Sequence, residues 1–196
     1  MISVRPDSRF RTLPDLIAEA RANPGALNYP SSGIGTVHHL SGELLNSMAG
    51  MDITHVPFRG GASPLTEVLA GRVDLLLEAM TLSLGQIQSG KLRALAVTSR
   101  ERWKALPEVP TVHEALPGYE VVSFIGLGAT GGTPSAIIEQ LNAEVRKALA
   151  SPDTHKRLLD LGGEPGASSP EEMKSFIERE IAKWRSVMAA RKIERQ

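Results

Sequence analysis

Between Ala26 and Val97 the chain states one pattern three times: a short apolar or β-branched run, a turn rich in glycine or hydroxyl side chains, and a stretch with apolar residues at helical spacing. The runs occupy residues 26–29, 53–58 and 73–78, and a fourth at 92–97 closes the series. Strands and helices alternating at this spacing are joined by right-handed crossovers in an open, parallel-type sheet with helices on its faces. The predicted fold class is therefore α/β. Open sheets of this kind bind ligands beyond the carboxyl ends of their strands. Three loops, at residues 30–36, 59–63 and 78–81, then form the candidate ligand surface.

In the first loop Ser31, Ser32, Gly33, Gly35 and Thr36 run into Val37, Leu40, Leu44, Leu45 and Met48, the apolar stripe of a helix. A helix start presents unpaired backbone N–H groups and the positive end of the macrodipole, and glycine lets a ligand approach that backbone closely. The pattern predicts an anion cradle that suits a small carboxylate, although the same residues also suit a plain helix cap. A dinucleotide fingerprint does not fit, because His38 stands where its third glycine belongs. In the second loop Arg59 can pair with a carboxylate in a bidentate way or remain a solvated side chain. Glu78, at the third, would repel an anion unless protonated, bridged by water or facing a ligand ammonium group.

Composition removes several function classes. Lys plus Arg and Asp plus Glu both number 22, so no global field draws the chain to nucleic acid or an anionic membrane. There is no cysteine, which removes thiolate chemistry and disulfides and suits an oxidising compartment. Residues 1–10 lack the apolar core of a signal peptide, and no segment approaches the roughly 20 apolar residues of a membrane span. His38 and His39 are neighbours on a helix and point about 100° apart, so packing or capping suits them better than a shared metal. No Gly-x-Ser-x-Gly elbow, His-Glu-x-x-His pair or phosphate loop is present, and neither enzymatic activity nor a cofactor is expected.

Flanking segments complete the organisation. Thr12 opens a helix carrying Leu13, Leu16, Ile17 and Ala20, stopped by Asn23-Pro24-Gly25. After the fourth run a proline-rich connector, residues 105–110, leads to Thr111 and Glu114, spaced as a capping box. From Val121 the pattern changes to one strand ending at Leu127, a glycine loop, and three helices whose starts are marked by Thr133-Pro134, Ser151-Pro152 and Ser169-Pro170. Apolar stripes such as Ile137, Ile138, Leu141, Val145 and Leu149 need a covering surface. That surface is either the first part of the chain or another copy, so homo-oligomerisation is expected.

Several of these segments resemble one known family. Asn28-Tyr29 through Ser31-Ser32-Gly33-Ile34-Gly35-Thr36 to His39-Leu40, His55-Val56-Pro57-Phe58-Arg59-Gly60, Gly90–Ser99 and Leu106–Ala115 are similar, in order and separation, to the substrate-binding proteins of tripartite tricarboxylate transporters, the TctC or Bug family. The resemblance implies a periplasmic-binding-protein-like architecture. Residues 1–120 would form the second α/β ligand-binding lobe with its connector, and residues 121–196 the mostly helical C-terminal part of an incomplete first lobe. It also implies periplasmic capture of a small organic carboxylate without covalent chemistry, followed by delivery to membrane transporter subunits. Ser31, Ser32, Gly33, Gly35 and Thr36 match the family's second-lobe anion loop, and Phe58, Arg59 and Gly60 the loop after the next strand. Glu78 stands where many members have aspartate, and Phe124 near where many have tryptophan. The alternative is an interaction or scaffold protein that has lost ligand binding and self-associates through its C-terminal helices.

Overall fold

Five short strands and eight helices form among the residues described by the computed structural model, 1–58 and 64–193. The strands are β1 (Ile2–Val4), β2 (Asn28–Ser31), β3 (Thr54–Pro57), β4 (Leu75–Leu77) and β5 (Arg93–Ala96). Four of them lie within or beside the predicted runs. β2 and β3 pair in parallel, with Asn28 opposite Thr54 and Ser31 opposite Pro57. β1 is an addition, and it lies between β4 and β5, antiparallel to both. The strands thus form two sheets, an antiparallel one of three strands and a parallel one of two, rather than one parallel sheet. Ile2 and Val4 are fully enclosed, so three residues with a neighbour on each edge hold a central place. The two sheets meet at Asn28 and Asp74. The Asn28 N–H donates to Asp74 Oδ2 at 2.9 Å, and the Asp74 N–H lies 3.1 Å from Asn28 Oδ1.

The helices begin and end where local chemistry dictates. In α1 (Leu13–Ala22) Thr12 and Asp15 form a capping box, and Leu13, Leu16, Ile17 and Ala20 are buried as the spacing predicts. α2 (Val37–Ala49) stops at Gly50, whose φ of 58° is the left-handed conformation glycine favours. α3 (Pro64–Leu69) and α4 (Met80–Gln88) follow β3 and β4, and Thr111 with Glu114 caps the single turn α5 (Val112–Ala115). The end of α2 is tied to the approach of β3 through Asn46, almost wholly buried. Its amide donates to the Ile53 carbonyl at 2.9 Å and accepts the Ile53 N–H at 3.0 Å.

The chain divides into two compact units, one of residues 1–123 together with those from Val187 onward, the other Phe124–Ser186. The first holds both sheets, and its core is built from Ile2, Val4, Val68, Leu75, Leu76 and Leu95. The second holds α6 (Ser135–Ala150), α7 (Pro152–Asp160) and residues 170–186 of α8 (Pro170–Ala190). Ser169 caps α8, accepting the Glu172 N–H at 3.1 Å. No residue of α6 or α7 is buried, and Ile137 and Leu141 are about half exposed (48% and 53%).

The strand expected to end at Leu127 does not form. The Val121 N–H donates to the Thr98 carbonyl at 2.8 Å, but beyond it Val122, Phe124, Ile125 and Leu127 stay exposed and unpaired in any ladder. An apolar run becomes a strand only where a neighbour takes up its backbone N–H and C=O groups. No such neighbour flanks it among the described residues.

Candidate functional site

β2 ends in Ser31, and the five residues after it fold back on that serine before α2 begins. The Ser31 hydroxyl is fully buried. It donates to the Gly33 carbonyl at 2.9 Å and accepts the Gly33 N–H at 3.1 Å. Gly33 (φ 136°) and Gly35 (φ 81°) hold conformations that a side chain would strain. The Thr36 hydroxyl also turns to the Gly33 carbonyl, at 2.8 Å, and makes no cap bond to α2. The first backbone amides of α2 are therefore left uncapped by its N-cap residue. Ser32, Ile34 and Gly35 are exposed on the outer face of the turn. The result is a rigid loop, tied from within, that presents backbone to solvent at a helix start.

The other two strand ends lie against it. The Phe58 N–H donates to the Ser31 carbonyl at 2.9 Å, placing the exit of β3 beside the exit of β2. Glu78, the residue after β4, is reached by α2 itself: His38 Nε2 lies 2.8 Å from Glu78 Oε1, which also accepts the Ala79 N–H at 2.8 Å. Burial would raise the Glu78 carboxyl, but the hydrogen bonds from His38 and Ala79 outweigh it and hold the group below the usual glutamate range. Glu78 thus stands ionised, with the His38 imidazole hydrogen-bonded to it.

Under the loop is a second polar layer. His39 Nδ1 accepts the Gly35 N–H at 3.1 Å, and the His39 ring stacks on His55 with centroids 3.8 Å apart. His55 Nε2 in turn lies 2.5 Å from Ser31 Oγ. Tyr29 tilts against His55 and places its hydroxyl 2.9 Å from Glu43 Oε1, while Glu43 Oε2 accepts from Arg191 Nε at 2.6 Å. Burial pushes His39 down from its ordinary value, and burial together with the neighbouring His39 brings His55 down to about 4. The Tyr29 phenol is pushed upward, by burial first and then by the Glu43 carboxylate. Both imidazoles are consequently neutral near pH 7.

Of the residues singled out from the sequence, Ser31, Ser32, Gly33, Gly35, Thr36, Phe58 and Glu78 converge at these strand ends in the first unit. Arg59 and Gly60 lie outside the described residues. Phe124 belongs to the second unit, where its ring meets Phe176 edge-on at 4.9 Å. Sequence reading missed His55, Glu43, Tyr29 and Arg191 as parts of the loop's support, since no spacing rule links residues so far apart in the chain. It did read the divergence of His38 and His39, which leave α2 in different directions, one to Glu78 and one to His55. Among the described residues no cluster of three or more His, Asp and Glu could hold a metal, and no helix is long and apolar enough to cross a membrane.

Known proteins are similar to this chain in sequence and in fold. The family model for the tripartite tricarboxylate transporter family receptor matches residues 1–193. The UPF0065 protein in the tcbD-tcbE intergenic region of Pseudomonas sp. (strain P51) is 40% identical over 96% of this chain and 56% of its own length. Among solved structures, R. palustris Rpa4515 with adipate superposes with a TM-score of 0.87 at 39% identity, over 96% of this chain and 64% of that one. MatC (Rpa3494) from Rhodopseudomonas palustris with bound malate gives a TM-score of 0.80 at 32% identity, over 95% and 65%. The chain therefore spans a little over half the length of that curated relative and about two thirds of those solved chains. With the family model matching residues 1–193, the chain belongs to the tripartite tricarboxylate transporter receptor family, TctC.

Proposed function

We propose that this chain carries the carboxylate-binding loop of a periplasmic solute receptor that passes a small organic acid to membrane transporter subunits. The observation that carries the reading is the Ser31–Thr36 turn. The α2 amides that follow it have no N-cap side chain on them, while the Ser31 and Thr36 hydroxyls are spent on holding the loop's own shape. A carboxylate accepting such N–H groups gains hydrogen bonds to a charged group, each about 1.5–3 kcal/mol, with the helix dipole adding some tenths more. The relatives solved with adipate and with malate support this ligand class. The receptor binds and releases its ligand without covalent change.

Residues 1–120 act as the second lobe of such a receptor, and residues 121–196 as part of the first. The half-exposed Ile137 and Leu141 on a helix with no buried residue support the second assignment, since a stripe of that kind needs a covering surface and the solved relatives are longer chains. Titration calorimetry of this chain against adipate and malate tests the function. Saturable heat with at least one acid is expected, weakened tenfold or more by Gly35→Ala, which strains the loop at φ 81°. Silence with both acids would overturn binding by this chain.

A further inference from the structure

Resting on the carboxylate-loop reading, we infer that His39 and His55 are positioning residues for the loop, a stacked pair whose protonation at His39 releases the Gly35 amide from its place. The geometry is specific. A backbone N–H that donates to Nδ1 needs a lone pair there, so the Gly35 bond at 3.1 Å fixes neutral His39 with its proton on Nε2. Adding a proton puts it on Nδ1, where it faces the Gly35 N–H and breaks that bond. His55 answers differently. Its Nε2 sits on Ser31 Oγ, and a protonated ring can still donate to that oxygen. What opposes a proton on His55 is the second ring 3.8 Å away and the burial around it. The two rings therefore divide the work, with His39 holding Gly35 and His55 holding Ser31, which in turn holds Gly33.

The charged and titratable groups around the pair have other partners. On β2 and α2, Tyr29 and Glu43 bond each other. Arg191, just after α8, neutralises the second Glu43 oxygen. Tyr119 spends its hydroxyl on the Ser41 carbonyl at 3.2 Å, and His38 is on Glu78. Among the described residues no carboxylate oxygen makes a hydrogen bond to either ring, so no salt bridge there compensates a proton placed on them. Of the surrounding charges, Glu43 favours that proton, yet burial prevails and both rings resist it.

The test is an NMR titration of the whole chain, which needs no ligand. At neutral pH the ring nitrogens of His39 should report the Nε2–H form. On acidification the Gly35 amide should shift with the His39 midpoint, below the ordinary histidine value. In His39→Asn the side-chain oxygen can still accept the Gly35 N–H. The Gly35 amide should then no longer follow an imidazole, and the His55 midpoint should rise. Finding the Nδ1–H form of His39 at neutral pH, or a Gly35 amide indifferent to His39 titration, would overturn the assignment. A second arm follows adipate and malate affinity down the same pH range. Loss of affinity that tracks His39 and disappears in His39→Asn supports the coupling. Absence of binding at every pH counts against the carboxylate reading and leaves the ring and amide readouts to decide the positioning role.

Discussion

Replacing Gly42 by alanine puts the packing under the loop to a test with an unusual sign. In the interior of an exposed helix, glycine to alanine gains about 1 kcal/mol, because alanine loses less backbone entropy and shields the helix. Gly42, in α2, is different: a Cβ there would sit 2.2 Å from Tyr29 Cζ, 2.4 Å from Cε2 and 2.7 Å from its hydroxyl oxygen. Ordinary contact begins near 3.4 Å, so the overlap exceeds an ångström. Tyr29 is only 1% exposed, with His55 against its ring and Glu43 on its hydroxyl, and has no free direction in which to retreat. Overpacking of this kind costs about 1–3 kcal/mol, occasionally more, and loss of the phenol's hydrogen bond adds about 1 kcal/mol. After the helix-propensity gain, Gly42→Ala should be destabilised by about 2 kcal/mol. Gly85, in α4, is the internal control, since nothing lies within 4 Å of its added Cβ, and Gly85→Ala should gain about 0.5–1 kcal/mol. Urea denaturation should move the two midpoints in opposite directions, Gly42→Ala down by about 1 M for a slope near 2 kcal/mol/M. A Gly42→Ala midpoint at or above that of the parent would refute the close seat of Tyr29 on α2.

Asn46→Ala should cost about 2–3 kcal/mol, read from the same denaturation curves, because both backbone groups of Ile53 lose their partner in a site almost closed to water. Stability should also depend on acid in a defined window. His55 binds its proton at about 4 when folded and near 6.5 when unfolded, so the unfolded chain takes up more protons between those values. The contribution is whole above pH 6.5 and is lost as pH falls toward 4, amounting to about 1–2 kcal/mol once the partial exposure of the ring is allowed for. Glu78, depressed in the fold, adds a loss in the same direction at still lower pH. Thermal melts from pH 8 to pH 4 should show that decline, and melts flat across the range would contradict a neutral buried pair.

Most of the first unit was legible because its signals are local. Thr12 with Asp15 and Thr111 with Glu114 cap helices by spacing alone, and the glycines at 33 and 35 announce a turn whichever sheet it serves. Long-range pairing was not legible. Residues 2–4 are too short to show a period, and they form a strand only because β4 and β5 arrive on either side. Residues 121–127 show the reverse: an adequate apolar run stays out of any ladder for want of a neighbour. At the loop itself, the anion cradle was visible in sequence while its support was not. Stacking of His39 on His55 depends on the register of β2 with β3, which places His55 opposite Tyr29, and on the pitch of α2 above them.

The most direct measurement of carboxylate capture is an amide-resolved NMR titration of the labelled chain with adipate and with malate. If the loop holds the carboxylate, the amides of Ile34, Val37, His38 and His39 should shift saturably and more than any others, with Glu78 and Ala79 moving less. Resonances that stay fixed with both acids, or that move only in the second unit, would contradict the Ser31–Thr36 turn as the binding element.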